Sequence, residues 1–256
     1  MSGKIAETPF IAPCRRIAPG RPLRWLALGW RDFRAGFGVS LIYGLIIFGL
    51  SLAVTLLAWK LGSYVLVISM LSGFVFIAPL LATGLYSVSR QIARGERPSL
   101  ARSVWRMRAV LRDALVFALV LLVIFLVWVR AGVMVHVFFP MGETLDWITL
   151  ARFLAIGSAV GSIFAMITFA AAAFSLPMIV DRDADMITAC ITSVNAVLRN
   201  KPAMAVWIGL IVLLTGLGFA TAGLGLIITI PLLGYATWHA YLETIDAGEW
   251  PSSPCP

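Results

Sequence analysis

Charge is what this sequence has least of. Only 12% of its 256 residues are Asp, Glu, Lys or Arg, against roughly 25% in soluble domains, while 61% are hydrophobic. A water-soluble domain and a disordered chain are both excluded by that balance. Three cysteines provide no disulfide framework. Two histidines, His136 and His239, cannot furnish a haem-copper oxidase core, which takes about six. They also fall at different expected depths, which removes a paired haem ligation. No GxSxG, HExxH, Walker or CxxC pattern occurs. Asp181, Asp183 and Asp185 resemble part of a calcium loop but lack the glycine and glutamate that must follow. An acidic cluster at the positive end of a helix beginning near Ala184 accounts for them. The expectation is therefore a protein with no metal or cofactor and no catalytic residues.

Long apolar runs are what the chain has instead. One membrane span takes about 20 apolar residues, and six segments qualify: 37–59, 62–88, 114–136, 153–180, 203–219 and 224–242. Glycines 216, 218, 223 and 225 mark a tight turn between the last two. The expected fold is an all-α polytopic membrane protein, with a six-span domain over 22–246, a disordered tail over 1–21 and a short tail over 247–256.

Net charge is +8, and its placement gives orientation. Seven cations precede residue 36, seven lie between Arg90 and Arg112, and Arg182, Arg199 and Lys201 follow the fourth span, so seventeen of twenty fall on one side. The positive-inside rule makes that side cytoplasmic, with both termini there and Glu143, Asp146 and Trp147 outside. The charge is topological and faces anionic lipid; nucleic acid is not an expected partner. All three cysteines then lie in a reducing compartment.

Two features recur three times in the same order. An amphipathic run precedes each odd span (Leu23 to Arg34, Leu100 to Arg112, Met186 to Leu198), and a proline sits near the cytoplasmic end of each even span (Pro79, Pro177, Pro231). This pattern reads as three parallel units, each an interfacial helix followed by a hairpin of two spans. In the middle helix Leu100, Val104, Met107 and Leu111 form one stripe, leaving Arg102, Arg106, Arg108 and Arg112 as a basic lipid-facing surface, with Ser99 as N-cap. A docking surface for an acidic partner is the alternative use of the same residues.

Embedded ionisable groups are the default functional candidates. Arg130 falls near the outer interface, where it snorkels or pairs with Glu143 or Asp146. His239 lies between Trp238 and Tyr241, read as girdle residues, with Glu243 one turn on; the ring is either held by that carboxylate or fixes the helix end at the headgroups. Gly157 and Gly161 form a GxxxG for close helix approach, within this chain or with a second protein or protomer.

The run from Gly73 to Arg90, followed by Gly95-Glu96-Arg97-Pro98-Ser99, resembles the signature of the bacterial integral membrane proteins called domain of unknown function 2189. Thr192 to Val197 and Pro231 to Tyr241 match as well. The resemblance covers about residues 22–245 and implies a proteobacterial multi-pass inner-membrane protein without an assigned activity. Any connection to a respiratory or terminal oxidase would be as an associated subunit or assembly factor. Two functions stand: a non-catalytic accessory, scaffold or assembly protein of a larger membrane complex, or a small transporter or lipid-handling protein. A cavity near the three prolines favours the second, and a dry, close-packed interior removes it.

Overall fold

In the computed structural model, residues 9–61, 81–138 and 147–252 are described, and among them every named element is a helix. Pro79, Glu143 and Asp146 lie outside the described residues. The amphipathic helix α1 (Arg21–Ala35) begins with Pro22 in its first turn, where the missing N–H costs nothing. It buries Pro22, Trp25, Gly29, Asp32 and Phe33 and leaves Arg24, Arg31 and Arg34 exposed. Helix α2 (Phe37–Leu61) follows after Gly36, and α3 occupies residues 81–93. The second amphipathic helix α4 (Leu100–Ala109) leads into α5 (Leu111–Phe138), and α6 (Trp147–Ala172) returns to the short α7 (Ser175–Asp181). The third, α8 (Met186–Arg199), precedes α9 (Lys201–Ala220) and α10 (Leu226–Thr244).

Among the described residues, four segments are long and apolar enough to cross a bilayer: Phe37–Leu57, Leu111–Met134, Ala155–Asp181 and Lys201–Ala220. They correspond to the first, third, fourth and fifth segments expected from sequence. The second falls mainly outside the described residues. The sixth corresponds to α10, which is not among these four.

The fourth segment is broken, where one continuous span over 153–180 was expected. Pro177 has no N–H and its ring collides with the carbonyl four residues back, that of Ala173. The helix stops at Ala172 and restarts at Ser175. A side chain from α8 mends the gap: Ser193 Oγ accepts from Phe174 N–H at 3.1 Å and donates to Ala170 carbonyl at 2.7 Å. The two backbone groups that would have bonded to each other are thus bonded through a hydroxyl.

Pro231 is handled differently. It sits inside α10, which continues past it. Lacking an N–H, it leaves the Ile227 carbonyl without its usual helical donor, and a Cβ built on Gly44 of α2 would collide with that same oxygen. Glycine at position 44 therefore accommodates the carbonyl that proline frees. Glycine also lets α1 lie against α10, the most extensive helix–helix interface among the described elements. A Cβ at Gly29 would stand 2.8 Å from Ala236 N and 2.9 Å from Leu232 O. The glycine turn expected before α10 is present: residues 221–225 reverse the chain, with Gly223 at φ +84° and the Thr221 hydroxyl bonded to Gly218 O and Gly225 N.

Of the disordered tail expected over 1–21, residues 1–8 lie outside the described residues, and residues 12–17 are held by hydrogen bonds instead, as are residues near 250. Ala12 N–H donates to Thr192 Oγ1, Ile17 N–H to Asn200 Oδ1, and Cys14 pairs antiparallel with Ile245. Asn200, at the α8–α9 junction, returns a bond to Arg15 O. At the other end Trp250 is buried, Arg182 Nη1 donates to its carbonyl, and Arg182 pairs with Ser252. Apolar anchors (Ala12, Trp250) and backbone pairing supply what the charge and proline content of these segments did not suggest.

Candidate functional site

The polar side chains of the interior converge where α1, α3, α4, α7 and α10 meet. Asp32 of α1 is 1% exposed, and one of its oxygens, Oδ2, takes both His239 Nε2 at 2.7 Å and the Ser89 hydroxyl at 2.9 Å. Sequence reasoning had paired His239 with Glu243. The chain instead gives Glu243 to Trp25 Nε1 at 2.7 Å and Arg21 at 2.9 Å, and Asp32 to the histidine. Three residue types familiar from hydrolases are present, yet the carboxylate lies between serine and histidine. In a nucleophilic triad the histidine holds that middle place. This arrangement joins three helices at one oxygen.

Two further polar contacts tie α2 in. Ser103 of α4 donates to Gly84 O at 2.7 Å, so the proton in its 2.7 Å contact with Tyr43 comes from the tyrosine. Tyr235 meets Ser40 at 2.7 Å.

Arginine supplies the second cluster. Arg90 and Arg106 are nearly buried and both donate to Val180 O, at 3.3 and 2.7 Å. Here the expected lipid-facing surface of Arg102, Arg106, Arg108 and Arg112 is corrected. Arg108 and Arg112 are exposed and Arg102 bonds Glu96 and Arg97 O, but Arg106 turns inward. The reason is that Ser103, Arg106 and Val110 form the packed face of α4, while Val104 and Leu111 of the apolar stripe are outside. Ser99 occupies the N-cap position with no side-chain cap; its N–H bonds Gln91 Oε1 at 2.8 Å. The terminal carbonyls of α7 are the part of a helix that attracts cations, which suits two guanidiniums there.

Of the other sequence candidates, Trp238 and Tyr241 are each 1% exposed, so they are core residues and not headgroup anchors. Tyr241 donates to Asp181 Oδ2 at 3.0 Å, and Trp207 stacks edge-on against Trp25. Pro177 and Pro231 are buried at the break and in α10, and Arg130 is exposed. A Cβ at Gly157 would meet nothing within 4 Å, and at Gly161 only Trp128 Nε1 at 3.6 Å. Within the acidic trio, Asp185 does the capping, accepting from Ile187 and Thr188 N–H at 2.9 and 3.0 Å. Burial raises its pKa, but those hydrogen bonds prevail and hold it below the ordinary value.

A cavity of about 550 Å³ opens between α2, α3, α9 and α10, one turn from Pro231. Ile47, Leu85, Ile211, Phe219 and Leu233 contribute apolar walls. Two of its hydroxyls are already satisfied within their own helices, Thr55 by Ser51 O and Thr237 by Leu233 O, both at 2.8 Å.

Apolar helices of spanning length and an apolar cavity between them define an integral membrane protein. Residues 66–181 match the family described as "Predicted integral membrane protein (DUF2189)". The resemblance read from the sequence is thereby shown over that segment, less than the 22–245 expected. No curated protein and no solved structure matches the chain.

Proposed function

We propose that this chain is a lipid-handling protein of the bacterial inner membrane, built as three interfacial-helix-and-hairpin units with six spans and both termini cytoplasmic. The cavity carries the functional reading. Its volume lies within the roughly 300–1,000 Å³ of ligand sites, and a mostly apolar wall in which the Thr55 and Thr237 hydroxyls bond within their own helices suits an acyl chain and not an ion. Contacts at one end support six spans: Ser89 lies beside Asp32 of α1 and Ile245 beside Cys14 of the N-terminal segment, while Asp181 and Tyr241 bring the ends of two even segments together.

The test is to purify the protein from native membranes and count bound lipid by native mass spectrometry. Ala82→Phe and Thr215→Phe, which fill the cavity from α3 and α9, should reduce retained lipid several-fold while the melting temperature holds or rises. Lipid retention unchanged in both stable variants rejects the reading.

One observation favours the accessory or scaffold alternative: the GxxxG face of α6 is open at Gly157, as a helix surface awaiting a neighbour would be. A stoichiometric membrane-protein partner lost on Gly157→Leu would select that function.

A further inference from the structure

The cavity between α2, α3, α9 and α10 is not uniformly apolar, and its polar atoms narrow what it can hold. Thr55 and Thr237 bond within their own helices. Three other hydroxyls of the lining, those of Ser51, Tyr86 and Thr215, make no hydrogen bond among the described residues. Tyr86 is the most deeply set of the three. It is 7% exposed, and its oxygen is not one of the sealed, unpaired side-chain atoms of the interior. That oxygen therefore opens onto space, and the cavity is the space that Tyr86 lines. We propose that the cavity selects a neutral single-chain lipid, one acyl chain bearing an uncharged ester or hydroxyl that hydrogen-bonds Tyr86. This rests on the lipid-handling reading and narrows it to a ligand class.

Hydrogen bonding is the first argument. A hydroxyl facing bare hydrocarbon has lost the partner it had in water, and a buried donor left unpaired is expensive. An ester carbonyl or a hydroxyl on the ligand restores that bond. Tyr86 is well placed to give it, because its helix is pinned on both sides: Leu85 lies against Gly234, and Ser89 bonds Asp32. Ser51 of α2 and Thr215 of α9 extend the same donor chemistry along the wall.

Charge and size exclude the commoner lipids. Among the described residues the lining contains no Asp, Glu, Lys, Arg or His. A phosphate or an ionised carboxylate drawn into the cavity would be buried without a counter-charge. Anionic lipids and ionised fatty acids are thereby disfavoured, whereas an uncharged ester or alcohol loses nothing. At about 30 Å³ per water-sized group, a cavity of about 550 Å³ holds roughly 18 such groups. That suits one chain with a small polar end and not the paired chains of a phospholipid.

Three probes with chains of equal length test the selection: monolauroylglycerol, lauroyl lysophosphatidic acid and dodecane. Full-length protein in phosphatidylcholine nanodiscs is titrated with each in a separate series and followed by thermal unfolding. Monolauroylglycerol should raise the melting temperature at about fivefold lower mole fraction than either of the others, the scale of one hydrogen bond. Tyr86→Phe should cut its preference over dodecane roughly two- to tenfold, on the same scale, and Thr215→Val provides a second hydroxyl deletion. Equal responses to monolauroylglycerol and dodecane, or an undiminished preference in both variants, overturn the selection and leave the cavity a site for acyl chains. A stronger response to lysophosphatidic acid overturns it through charge. No response to any of the three overturns this inference and the lipid-handling reading together.

Discussion

Single side chains in this protein repair specific backbone faults, and the repair at Ser193 is the one most open to measurement. Its hydroxyl serves Phe174 N–H and Ala170 O together. Ser193→Ala therefore leaves a buried donor and acceptor unpaired, at a cost of about 1–3 kcal/mol for such a group. Thermal unfolding in detergent should show a clear loss for Ser193→Ala and a smaller one for Ser193→Thr, which keeps the hydroxyl. Asp185 offers a pH-dependent counterpart. Its carboxyl is lowered in the native state, so its contribution is whole above the ordinary carboxylate pKa of about 3.9 and is lost as pH falls through the lowered native value. Asp185→Ala should cost about 1 kcal/mol at neutral pH, and the difference from wild type should shrink in acid. A gap that stays constant down to pH 2 would show that the cap is not ionic.

Helices, in contrast, are placed by glycine and proline acting in pairs. Pro231 frees the Ile227 carbonyl and Gly44 leaves room for it, so Gly44→Ala should force α2 and α10 apart at about 1–3 kcal/mol, the usual scale of overpacking. Gly49→Ala on the same helix, where a Cβ meets nothing, should be near neutral. Circular-dichroism melts of the two variants decide it. At this scale the sequence was informative: apolar run length gave the four spanning segments, and 3.6-residue periodicity gave α1, α4 and α8. It was misleading where the repeat made Pro177 and Pro231 equivalent. A proline deep in a helix blocks the preceding turn, whereas one near the helix start releases a single carbonyl. The α4 stripe misled too, because hydrophobicity cannot tell a face that meets lipid from one that meets protein; Val104 went out and Arg106 in. Asp32 was illegible for a different reason. Its histidine lies 207 residues away, and no local pattern links them, although an acid on the buried face of α1 was a signal that could have been followed.

The segments around Cys14 and Ile245 meet at one side of the structure, and this has a topological consequence. Cys14 and Ile245 are paired through their backbones, with Arg15 N–H on Thr244 O at 2.8 Å and Asp246 N–H on Pro13 O at 2.9 Å. Residues bonded in this way share one side of the membrane, so an even number of crossings separates them. Trp147, at the start of α6, belongs to the other pole and is 77% exposed. Glu249, in the C-terminal strap, is exposed beside the paired ends. In a background with the native cysteines replaced, Trp147→Cys should react with an impermeant maleimide on intact cells, and Glu249→Cys only after the membrane is opened. Labelling of both from outside would break the link between strap and span number. The reverse pattern would keep the even count and invert the orientation. The native thiols provide an internal control for the strap: burial pushes Cys14 up, so it should alkylate slowly in the folded protein even after permeabilisation and quickly once denaturant frees the N-terminal segment from Thr192 and Asn200.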